Sequence, residues 1–311
     1  MPPRPFRFGV QVRTPRTAGA WLDTARRVER LGYDTVTMFD HPTHGLGPLA
    51  MLAAAAVATE RVRLGTFVLA TDYRHPVLLA QEAATIDQLS GGRLELGLGA
   101  GWDRAEYTAI GIPFDPPGVR IGRLEHTVRL LKRLFAEEGV SADGAHGLPG
   151  VAELTLAARP VQRPHPPLLI GGGGPRVLGV AAREADIVAL APRALADGTL
   201  DPANITAGAT AAKVATVRAA AGARFADLEL NVYVYAVVVT ADRAGAAARL
   251  AADFALPAAD LLASPHALIG TEDEIVADLR ARRDRYGIAY LTVGDDLADA
   301  LAPIVARLAG T

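Results

Sequence analysis

The sequence predicts an α/β fold, a (β/α)8 TIM barrel, on three observations. Short apolar runs rich in β-branched residues alternate with longer stretches of helical period. The alternation repeats about eight times over 311 residues, which favours a closed barrel over an open doubly wound sheet. No break in composition marks a second unit, so 1–311 is expected to form a single barrel domain. Each helix returns the chain to the same end, so the strands should run parallel.

The first strand is expected over 6–12 (FRFGVQV), followed by a helix with Trp21, Leu22, Ala25, Val28 and Leu31 on one face and Gly32 as its stop. Strand two is 34–39, and an alanine-rich helix begins at Pro48. Strand three is 61–68, and its helix opens at Pro76 and closes at Gly91. Strand four is 93–99, before a long helix over 120–139. Strand five is 168–172, with a helix from Pro175 to about Glu184. Strand six is 185–190 and strand seven 228–239. The helix from Thr271 carries a Thr271–Glu274 capping box, and strand eight is 289–294. Two connections are longer than a barrel needs, 101–120 and the Gly/Pro-rich 139–167, which reads as an insertion. The segment 191–205 could serve as a lid.

Composition excludes several classes. The formal net charge is −2 and no Lys/Arg cluster is interleaved with aromatics, so nucleic acid is not an expected partner. No run reaches the ~18 apolar residues of a membrane helix. The N-terminus lacks the apolar region of a signal peptide, and there are no cysteines; a cytoplasmic protein is expected. No G-x-S-x-G, H-E-x-x-H or P-loop is present.

Barrel enzymes act at the C-terminal ends of their strands. After strand two comes Phe39-Asp40-His41, an acid/base couple or a plain cap, with His44 nearby. Spacing identifies no third ligand, so no metal is expected. After strand three, His75-Pro76 reads as the opening of a helix. After strand four, G-L-G-A-G-W (97–102) lacks the last glycine of a dinucleotide fingerprint, because Trp102 stands there. It fits close approach of backbone to a flat ring. After strand five come Gly171 to Gly174, Pro175 and Arg176. Glycine permits positive φ and close approach, and the following helix N-terminus favours an anion. A tight turn needs fewer than four glycines, so a phosphate site is expected there.

F-D-H after strand two, L-G-T-x-V with R-H-P behind it, L-S-G-G-R-L-x-L-G-L-G-A-G-W (89–102) and the glycine turn together resemble the bacterial luciferase-like superfamily. Within it the sequence is most similar to the coenzyme F420-dependent oxidoreductases, clearly so over 6–190. The resemblance implies a luciferase-like barrel with its insertion near 139–167, a homodimer, and a cofactor ring across the barrel mouth. It implies that Asp40 and His41 approach the deazaflavin, with His41, oriented by Asp40, exchanging a proton. It implies a non-prolyl cis peptide at Phe67-Val68 supporting the ring, Thr71 and the backbone of Gly99, Ala100 and Gly101 alongside it, and the cofactor phosphate on Gly173, Gly174 and Arg176. Trp102 lines the substrate pocket, with Gln11 and Arg13 as further contacts. Sugar-phosphate dehydrogenase members have a glutamate where Trp102 stands, so glucose-6-phosphate oxidation is not expected. The function implied is hydride transfer between F420 and a small organic substrate. The alternatives are an FMN-dependent monooxygenase and a non-catalytic flavin- or deazaflavin-binding barrel.

Overall fold

A computed structural model describes residues 3–13, 16–193 and 201–311. Eight parallel strands form the barrel: β1 (Arg7–Val12), β2 (Thr35–Met38), β3 (Arg63–Thr66), β4 (Leu94–Gly99), β5 (Leu168–Gly172), β6 (Ile187–Leu190), β7 (Glu229–Val234) and β8 (Ile288–Gly294). Neighbours in sequence are neighbours in space, β1 pairs with β8, and β3 pairs with β4 through Leu64–Leu94 and Gly65–Glu95, which closes the ring. Closure leaves no edge strand in the barrel.

Strand residues alternate between two buried environments. Val10, Val36, Leu96, Ile170, Val188 and Val232 join the core cluster shared with the surrounding helices. Leu169, Ile187, Ala189 and Tyr290 form a second cluster with Phe67 and Val68. Both faces are covered, which is why the strands read as nearly continuous apolar runs. The N-terminal end is closed by charge: Arg7 bonds Glu229 at 2.6 Å and also Glu95, which Arg63 shares. The site is therefore built at the opposite end.

Two expected strand bounds change. The third strand stops at Thr66; after the cis peptide expected at Phe67–Val68 it resumes as Leu69–Ala70, pairing with Leu98 and Gly99 of β4. The seventh strand ends at Val234: Tyr235 N–H bonds His266 O at 2.8 Å, and Ala236–Val239 pairs in a separate sheet with Ala267–Gly270. The insertion holds an antiparallel hairpin, Val140–Ala142 with Val151–Leu154. The capping box at Thr271 is present, with Thr271 N–H donating to Glu274 Oε2 at 2.8 Å. Of the segment 191–205, residues 194–200 lie outside the described residues. Among the described residues, no helix is long and apolar enough to cross a membrane.

Candidate active site

The interruption after β3 organises the mouth of the barrel. Gln11 Nε2 donates to the Phe67 carbonyl at 2.6 Å. A side chain at Gly97 would collide with the Thr66 carbonyl, and one at Gly99 with Val68 at 2.7 Å. Gly171, across on β5, leaves room for the same Val68. The glycines of G-L-G-A-G therefore let the bulge pack against β4. Gly101 takes positive φ (68°) and lies against Tyr107, whose hydroxyl donates to Asp72 at 3.0 Å. Arg120 holds the loop by donating to the Ala100 carbonyl at 2.9 Å and to that of Gly101. Thr71 is buried and donates to the Gly99 carbonyl at 3.2 Å. Gln11, expected as a substrate contact, has its Nε2 engaged by the Phe67 carbonyl.

His41 follows β2, and its expected partner is corrected. Asp40 does not orient it: Asp40 Oδ2 accepts from Ala70 N–H at 3.0 Å, and Asp40 Oδ1 accepts from Arg74 Nη2 at 2.8 Å. His41 Nδ1 lies 2.6 Å from Glu106 Oε2 instead. Glu106 is buried and sits on the short helix Arg104–Ala109, inside the long 101–120 connection. Its Oε1 accepts from Thr43 at 2.7 Å and lies 3.3 Å from His44 Nδ1. Burial opposes its ionisation, but hydrogen bonds from Thr43 and His41 outweigh that and hold its pKa below the ordinary glutamate value. The Trp102 indole stands 5.8 Å from the imidazole at 75°, edge to face, and is 43% exposed.

Among the described residues His41, Asp103 and Glu106 each bring a possible ligand atom to within 4.8 Å of the others, a third partner that spacing did not reveal. Asp103 already caps the Arg104–Ala109 helix, accepting from Ala105 N–H at 2.9 Å, and both Glu106 oxygens are engaged. The cluster is thus satisfied as a hydrogen-bonded network. Glu106 was missed because periodicity is silent in this loop. Asp103-x-x-Glu106 has capping-box spacing, a signal that could have flagged the helix.

The glycine turn also departs from expectation. None of Gly171 to Gly174 takes the left-handed conformation. A side chain at Gly172 would strike Val177, and one at Gly173 would strike the backbone of residues 191–193. Gly174 alone of the four has open space. It caps the helix Pro175–Glu184, whose first N–H groups have no side-chain cap among the described residues. Arg176 is exposed beside Gly118 and forms no ion pair among the described residues. Across the mouth, the Arg13 guanidinium lies 5.6 Å over the Tyr233 ring and pairs with Asp296 at 3.5 Å. His75 caps the next helix, its Nδ1 accepting from Val77 N–H at 3.3 Å, as its sequence context indicates.

A closed parallel barrel with a polar mouth defines a (β/α)8 protein whose ligand chemistry lies at the strand C-termini. Residues 4–302 match the luciferase-like monooxygenase family, and the chain belongs to it. An F420-dependent glucose-6-phosphate dehydrogenase of Kineococcus radiotolerans is 34% identical over 192 residues, 59% of this chain and 56% of that one. An FMNH(2)-dependent dimethylsulfone monooxygenase of Pseudomonas putida is 30% identical over 168 residues, 52% of this chain and 46% of that one. The chain thus spans about half the length of these sequence relatives. The coenzyme F420-dependent tetrahydromethanopterin reductase of Methanopyrus kandleri shares the fold, with TM-score 0.74, 17% identity and 98% of each chain covered.

Proposed function

We propose that the chain is a coenzyme F420-dependent oxidoreductase acting on a small organic substrate. The observation that carries this reading is the Gly174–Arg176 turn, a helix N-terminus with no side-chain cap beside an arginine with no ion pair among the described residues, which fits a phosphate. The bulge at Phe67 and Val68, framed by glycines, fits a flat ring above it. The relatives that depend on F420 support the same cofactor.

The bound deazaflavin would supply or accept the hydride, and the protein would orient and tune it. Gly174 and Arg176 hold the phosphate, with Gly173 shaping the turn. Phe67, Val68, Gly99, Ala100 and Gly101 hold the head, with Asp40, Gln11 and Thr71 bracing that backbone. His41 exchanges a proton with the substrate, while Trp102 and Arg13 line the pocket. Sugar-phosphate oxidation is not part of the proposal, since an indole stands at position 102. A homodimer is proposed as the working form; Val57 and Leu78, 71% and 57% exposed on adjacent helices, support it.

Reduced FMN with oxygen is the second reading, favoured by the Pseudomonas putida relative. Titration of the protein with F420 and with FMN, followed by Trp fluorescence, separates the two. Micromolar or tighter F420 binding with weak FMN binding is expected, and the reverse preference would favour the monooxygenase. If neither binds, the glycine turn is only a turn.

A further inference from the structure

We infer that Glu106 is the positioning residue of this site, fixing which nitrogen of His41 carries the mobile proton. This rests on the reading that His41 exchanges that proton.

The geometry is local and complete. Asp103 Oδ1 accepts from the N–H groups of Ala105 and Glu106 at 2.9 and 3.3 Å, starting the helix that turns Glu106 inward. The Glu106 side chain is 3% exposed, against 29% for His41. Its oxygens are divided between Thr43 and His41. An ionised carboxylate only accepts, so the 2.6 Å contact requires the hydrogen on His41 Nδ1. That leaves Nε2, which has no hydrogen-bond partner among the described residues, as the nitrogen open to a substrate. The other groups around the imidazole do not compete for Nδ1. Asp40 is bound to Arg74 and Ala70, and Asp103 is engaged in capping. His44 reaches the opposite Glu106 oxygen, and burial keeps the Tyr73 phenol neutral.

Position 102 gives this arrangement its meaning. An indole stands edge-on to the imidazole at position 102, and the carboxylate four residues further on contacts its Nδ1. Glu106 thus acts through His41, and the neutral ring presents one proton-accepting atom, Nε2, beside an aromatic wall.

The test needs neither cofactor nor substrate. Long-range 1H–15N NMR spectra of 15N-labelled protein at alkaline pH, where imidazoles are neutral, report each histidine tautomer. His41→Gln assigns the resonance. His41 should be mainly Nδ1–H in the parent protein. Glu106→Gln can donate as well as accept, so the Nδ1–H share should fall about two-fold or more. Thr43→Val, which leaves the carboxylate in place, should retain the parent tautomer. Glu106→Asp, too short to hold the contact, should shift the balance in the same direction and serves if Glu106→Gln does not fold. An Nε2–H parent, or an unchanged tautomer in whichever Glu106 variant folds, overturns the inference. If the tautomer shifts as expected but His41→Ala retains full turnover, the positioning stands and the functional reading of His41 fails.

Discussion

Asp40 and Arg74 form a two-contact ion pair at the mouth of the barrel, with Arg74 Nη2 2.8 Å from Asp40 Oδ1 and Nη1 bound to Oδ2. Asp40 Oδ2 also takes the Ala70 N–H, so one carboxylate ties β2 to the continuation of β3. Asp40 braces the mouth of the barrel, and the neighbouring His41 is held by Glu106 rather than by Asp40.

Asp40→Asn should therefore cost stability. Its side chain is 3% exposed and Arg74 is 22% exposed, so the arginine would be left without its charge partner. A loss of about 2–4 kcal/mol in urea unfolding is expected. His41→Asn should stay within about 1 kcal/mol. Equal losses in the two variants would contradict the division of roles.

The glycines should separate into packing and open positions. Gly97→Ala would press a methyl onto the Thr66 carbonyl and should cost about 2–3 kcal/mol in thermal unfolding. Gly174→Ala has nothing within 4 Å and no positive φ, so stability should change by less than about 0.5 kcal/mol. Comparable melting temperatures for the two variants would refute this split.

Arg176→Ala should weaken cofactor binding without affecting folding. The exposed guanidinium has no ion pair to lose among the described residues. Loss of one charge-assisted bond predicts about ten-fold weaker binding at low salt. The gap between parent and variant should narrow as salt rises. Unchanged affinity would remove the phosphate from this turn.

Lys213 should give stability a pH dependence of its own. Its Nζ donates to the Ala191 and Asn204 carbonyls, both at 2.7 Å, and burial pushes its pKa down to about 8. A free lysine titrates near 10.4. Between those values the unfolded chain binds the extra proton, so this contribution to stability rises with pH from about 8 to about 10.4. Urea midpoints of the parent minus those of Lys213→Met, measured across that range, should increase. A flat difference would show that Lys213 titrates normally.

The barrel was legible because strand and helix periods alternate cleanly, and the mouth because strand ends are the places to look. The cis bond after Thr66 was legible only through the resemblance: nothing local shows that Gly97, Gly99 and Gly171 all make room for Val68. The run 228–239 stays apolar throughout, so pattern alone carries one strand past Tyr235, where the chain leaves the barrel for His266. Glu106 was hidden most completely. It meets His41 across 65 positions of sequence, from a helix of six residues too short to show periodicity.

Hydride transfer itself is tested most directly with reduced F420 deuterated at C5. A panel of carbonyl, imine and activated-alkene substrates would be run under argon and in air. Label appearing in the product, at rates independent of oxygen and lost in His41→Ala, is the predicted result. Turnover only in air, with oxygen consumed in proportion to product, would contradict the account and make the protein a monooxygenase.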